Sequence, residues 1–171
     1  MKNLKRFLSL TVILALIAPV MINAQAGKVN FAGSWVANAE KSTPAPAGGQ
    51  GGGGGMRMGG GNFDAAQEAN LLTVTRTRTG QDGTATTTVT KYTLDGKESV
   101  NTNPRGTSKS VATWSADGKS LTIATTSTFN DREMKSSEVW TLTDAKTLTV
   151  TGTRAGQDGA NVVTKRVYDK K

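Results

Sequence analysis

The strongest constraint on this chain is a repeated unit, a run of threonine-rich alternation closed by a tight-turn signal. Leu72-Thr-Val-Thr-Arg-Thr-Arg78, Leu121-Thr-Ile-Ala-Thr-Thr-Ser-Thr-Phe129 and Thr147-Leu-Thr-Val-Thr-Gly-Thr-Arg154 all alternate with a period of two. β-Branched residues alternating with apolar ones suit half-buried strands and fit no helical period. Between the runs stand Gly80-Gln-Asp-Gly83, Asp95-Gly-Lys97, Asn103-Pro-Arg-Gly106, Asp117-Gly-Lys119, Thr143-Asp-Ala-Lys146 and Gly156-Gln-Asp-Gly159. Asp-Gly supplies the positive-φ positions that tight hairpins need. The spacing predicts strands near 33–38, 71–79, 84–94, 98–103, 107–115, 119–128, 134–143, 147–155 and 160–168.

The stretch from Leu72 to Gly83 matches that from Leu148 to Gly159 almost residue for residue, so one hairpin unit is copied around a sheet. That many antiparallel strands in one short chain curl, and closure removes the exposed edges. The expected fold is all-β: an antiparallel up-and-down meander of about eight to ten strands closing into a barrel, with a β-sandwich as the alternative.

Residues 1–26 read as an export signal. Lys2, Lys5 and Arg6 precede an apolar run interrupted by Pro19, and Ala24-Gln-Ala26 offers a small-x-small cleavage site after Ala24 or Ala26. The run is short for a spanning helix, which needs about 20 apolar residues. Residues 27–171 are then expected to form a single soluble domain, periplasmic or extracellular. The chain has no cysteine, so its core is not stapled by disulfides.

A Pro/Gly-rich segment at 43–62 interrupts the pattern after the first strand. It lacks the Gly-Lys-Ser/Thr of a phosphate-binding loop and reads as a flexible insertion. Residues 62–70, rich in Ala, Gln and Glu, read as about one helical turn.

Chemistry is constrained mainly by what the sequence lacks. With no histidine and no cysteine, His general bases, Cys nucleophiles and nearly all zinc sites are excluded. Asp82, Asp95, Asp117, Asp131, Asp144 and Asp158 all fall in turns, where carboxylates cap their own backbone. No enzyme, metal site or cofactor is expected. The net charge of +8 is reduced by loss of the leader and is spread without aromatic interleaving, which argues against nucleic acid. An outer-membrane barrel is excluded because neither strand face carries a continuous apolar row. Trp114, Trp140 and Tyr92 are candidates for a pocket contacting an apolar or sugar ring. Arg78 and Arg154 occupy matching places in the repeat, in step with Leu72/Val74 and Leu148/Val150, and should lean inward at one barrel end. With Arg105 and Arg132 they would form a rim for a carboxylate or phosphate. Alternatively Asp82, Asp131 and Asp158 neutralise them as turn ion pairs.

The opening Asn30-Phe-Ala-Gly-Ser-Trp-Val-Ala-Asn-Ala-Glu-Lys-Ser42 resembles the G-x-W start of lipocalin-like (calycin) barrels. It resembles still more the small secreted bacterial proteins that open F-x-G-x-W-x-x-N-x-x-K-S. The resemblance implies that Gly33 and Trp35 close one barrel end, with Arg166, or else Lys165, across the indole. It also implies a binding protein for a small molecule, which is hydrophobic or, if the arginine rim forms, anionic. The alternative is a non-catalytic structural or interaction protein of the cell envelope with a filled barrel.

Overall fold

The computed structural model describes residues 27–44, 61–80, 82–103, 106–129, 132–156 and 159–171. Residues 1–26, most of the Pro/Gly-rich segment and the Pro104-Arg105 turn lie outside that set. Ten strands follow in order: β1 (Gly33–Asn38), β2 (Phe63–Glu68), β3 (Leu71–Thr79), β4 (Ala85–Thr93), β5 (Glu98–Asn103), β6 (Gly106–Trp114), β7 (Ser120–Phe129), β8 (Arg132–Asp144), β9 (Thr147–Ala155) and β10 (Asn161–Lys170). The described residues contain no helix.

All pairings are antiparallel and join neighbours in sequence, except that β1 also pairs with β10. The sheet order is β4-β3-β2-β1-β10-β9-β8-β7-β6-β5, which brings β4 and β5 together as its two edges. Their seam is joined by side chains. Asn101 accepts from the Lys91 amide and donates to the Lys91 carbonyl (2.8 and 2.9 Å), while Ser99 Oγ accepts from the Thr93 amide (2.8 Å). The molecule is a nearly closed up-and-down barrel.

One element departs from the sequence reading. Residues 63–68 form β2, not a helical turn, with Phe63 and Ala65 buried and Asp64 and Ala66 exposed. The extra strand adds one chain reversal, and this moves the Gly-rich segment. Counting turns without β2 would group that segment with Asp95-Gly, Asp117-Gly and Asp144-Ala. In the structure β1 runs out at the opposite end, beside the two Gly-Gln-Asp-Gly turns. We call that end the mouth and the end of the three Asp turns the floor.

The turns behave as their residues dictate. Asp82, Asp95, Asp117 and Asp144 each accept from the backbone amide two residues on, at 2.7–3.2 Å. These bonds, together with the Lys97, Ser115 and Thr147 contacts, hold the four carboxyl groups below the usual carboxylate range. Asp131 and Asp158 lie outside the described residues.

The core fills the floor half of the barrel. Leu72, Val74, Leu121, Ile123, Leu148 and Val150 point inward from their strands and are buried. A strap of residues 28–32 crosses beneath them. The Val29 amide donates to Gly118 O (3.1 Å), and Gln67 binds both the Phe31 amide (2.9 Å) and Val29 O (3.1 Å). Phe31 enters the barrel from this strap and is fully buried.

Candidate functional site

Trp35 is buried, and its indole Nε1 donates to Phe31 O at 2.9 Å, which fastens the strap to β1. The cation over its ring is Lys170, with Nζ 5.5 Å from the centroid, and not Arg166 or Lys165. The reason is register. β10 runs on to Lys170, which pairs with Trp35, whereas Arg166 pairs with Val150 on the other side. The Lys170 stem reaches the indole by crossing Gly33, where a Cβ would meet Lys170 Cε.

Trp114 and Trp140 do not wall an open pocket, because the chain's own Phe31 lies between them. Its ring stacks on Trp114 (5.7 Å, 10°) and meets Trp140 edge-on (5.8 Å, 83°). Lys28 caps Trp114 from the floor side, 5.4 Å from its centroid.

Above this aromatic layer the inner wall changes character. Strand alternation places Arg76 on the same face as Leu72 and Val74, and Arg166 on the same face as Tyr168. Arg76 lies over the Phe63 ring, 4.9 Å from Cζ to the centroid, and its Nε is buried with no hydrogen-bond partner among the described residues. Phe63 in turn touches Trp140 and Tyr168 at 5.4 and 5.0 Å. Glu138 accepts from Trp140 Nε1 at 3.1 Å. Tyr92, opposite Leu72, is pushed up to about 12 by burial and by the Glu138 carboxylate, with Arg76 opposing. Tyr168 is also raised by burial, with Arg166 and Arg76 opposing. Arg76, Tyr92, Glu138, Arg166 and Tyr168 therefore share one electrostatic environment.

Nearer the mouth, Arg78 pairs with Thr86 and Arg154 with Ser136 and Val162, and both are exposed. The two stand at the same end and on inward-facing registers. Arg132 joins them from the start of β8, paired with Phe129. Asp82 does not neutralise Arg78: it is engaged with its own turn at Thr84. Among the described residues the ion pairs are all made by lysines, Lys41–Asp169, Lys97–Asp95, Lys109–Glu98 and Lys135–Glu133.

A division of cations follows. Every arginine of the described residues, 76, 78, 132, 154 and 166, sits on an inward register. The strand lysines 91, 109, 135 and 165 sit on outward ones, whereas Lys170, at the floor end of β10, takes the inward register that sets it over Trp35. Glu138 is the one strand carboxylate of the described residues on an inward register. Arg76, Glu138 and Tyr168 were absent from the sequence candidates, although the parity that selected Arg78 also selects Arg76. On the outer wall, by contrast, a groove of about 410 Å³ is bounded by Glu98, Lys109, Val111, Ala124, Glu133 and Lys135. Its charges are already paired with each other, so it offers no unmet chemistry.

No protein-family model matches the sequence, and no curated protein matches it. Solved structures share the fold. A secretary abundant heat soluble (SAHS) protein from Ramazzottius varieornatus aligns over 82% of this chain and 95% of its own, at 11% identity and a TM-score of 0.52. The fluorescent protein UnaG aligns over 82% and 97%, at 20% identity and a TM-score of 0.52. At such identities the likeness speaks for architecture alone, and that architecture is a calycin-like barrel.

Proposed function

We propose that the mature chain is an exported, non-catalytic binding barrel whose ligand is a small molecule bearing an anionic group, held in the mouth half of the interior. One observation carries this reading: the inward registers of the described residues hold five arginines against a single glutamate. Guanidinium groups lining one interior with so little counter-charge repel one another, and a bound anion relieves that repulsion. Arginine also presents a planar fork suited to bidentate recognition of carboxylate or phosphate, which lysine does not. A purely hydrophobic ligand is disfavoured, because Phe31 fills the aromatic layer at Trp114 and Trp140. The export signal at residues 1–26 supports a periplasmic or extracellular setting. The absence of histidine and cysteine supports a role without catalysis.

The test is thermal unfolding of residues 27–171 at constant ionic strength, with and without low-millimolar pyrophosphate. A ligand at 100 times its Kd stabilises by about 2.7 kcal/mol. We expect a saturable rise in Tm that is lost in the Arg76→Ala/Arg166→Ala variant. An unchanged Tm in the wild type would contradict the reading and favour the envelope scaffold, to which the filled floor half also lends itself.

A further inference from the structure

The inner wall holds its arginines at two depths. Arg76 and Arg166 are half-buried beside the aromatic layer, whereas Arg78 and Arg154 are exposed at the mouth. Arg78 lies two residues beyond Arg76 on the same face of β3. Arg154 pairs with Val162, four residues toward the mouth from Arg166 on β10. At about 3.3 Å per strand residue, the two levels are separated by roughly 7–13 Å. That backbone offset leaves room for two anionic groups seated at different depths. The wall around these levels is rich in hydroxyls: Thr86, Thr88, Ser108, Thr125, Ser127 and Ser136 all take inward registers, together with the apolar Met134 and Val162. Hydroxyl donors and acceptors suit a ligand with hydroxyls of its own, and the apolar surface beside them is small. A second, independent sign of a ligand at the deep level is the buried Arg76 Nε, a donor that no group among the described residues satisfies.

We propose that the ligand is a hydrophilic molecule with two anionic groups joined by a hydroxylated spacer. One group is seated at Arg76 and Arg166, the other at Arg78 and Arg154. A phosphorylated or polycarboxylated sugar derivative has this chemistry. The inference rests on the anion-binding reading above and specifies its substrate class.

Calorimetric titration of residues 27–171 with fructose 1,6-bisphosphate, fructose 6-phosphate and decanedioate tests it. The bisphosphate should bind at least about tenfold tighter than the monophosphate, since it gains a second set of charge-assisted bonds. Arg78→Ala/Arg154→Ala should bring the two within about twofold. Arg76→Ala/Arg166→Ala should weaken both, and Arg76→Gln serves if that pair unfolds. Equal binding of mono- and bisphosphate to the wild type would overturn the two-level proposal while leaving the anion site intact. Decanedioate binding as tightly as the bisphosphate would overturn the hydroxylated spacer. No binding of any of the three by the folded protein would overturn both readings. Binding indifferent to either arginine pair would do the same, placing the anions on surface lysines.

Discussion

Tyr92 and Phe31 show how single side chains divide the barrel into a dry half and a charged one. The Tyr92 hydroxyl, near Glu138 and Arg76, has its pKa raised from 10 to about 12, chiefly by burial. In the unfolded chain it ionises near 10. Between about 10 and 12 the folded protein therefore holds more protons than the unfolded one, and stability falls as pH rises. The contribution is complete below that window and amounts to about 2–3 kcal/mol. Tyr92→Phe should flatten the decline of urea midpoints with pH, leaving the smaller part due to Tyr168. An unaltered slope would mean that the hydroxyl is hydrated. Phe31 acts at the floor. Wedged between two indoles, it should cost about 3–5 kcal/mol when replaced by alanine, read from the denaturation midpoint. A loss below about 1 kcal/mol would show that the strap is not part of the core.

At the scale of elements, the strap and the seam are the places where this barrel differs from a closed ladder. Gly118 has a φ of +69°, and a Cβ there would clash with Gly27 O, a backbone atom. Gly96, with a φ of +79°, has open space around it. Gly96→Ala should thus cost only the backbone penalty of about 1–2 kcal/mol. Gly118→Ala should cost more and lift the strap, seen as a change in tryptophan emission; equal losses would remove the clash from the argument. At the seam, Asn101→Ala deletes two hydrogen bonds to Lys91, and about 1–3 kcal/mol should be lost. Amide exchange at Lys91 should accelerate while that at Thr73, its partner on β3, holds. The strands flanked by Thr-x-Val alternation and Asp turns were legible in the sequence because local propensity and register agree there. β2 was not. Phe63-Asp-Ala-Ala-Gln-Glu68 has helix-favouring residues, and pairing on both sides with β1 and β3 overrides that preference. Lys170 was missed for a related reason, since pairing register sets which residue of β10 faces Trp35.

Across the described strands, topology sorts the cations, arginine inward and, Lys170 excepted, lysine outward. The sequence exposed half of this. The repeat pointed to Arg78 and Arg154, but the deeper pair emerges only when β3, β8 and β10 are brought round to face one another. The Gly33-x-Trp35 opening pointed to the barrel's closed end, yet its cation lies four residues beyond the expected Arg166. Of the aromatic candidates, Trp114 and Trp140 enclose Phe31, so the proposed ligand is placed in the mouth half instead. The account stands on an anion binding inside that wall. Arginine Nε–H resonances in a ¹H–¹⁵N spectrum report on it directly, assigned by single Arg→Lys variants and followed during a pyrophosphate titration. The account predicts that the Arg76 Nε–H signal shifts saturably, together with that of Arg166. Arginine signals that stay in place while lysine resonances move would contradict it.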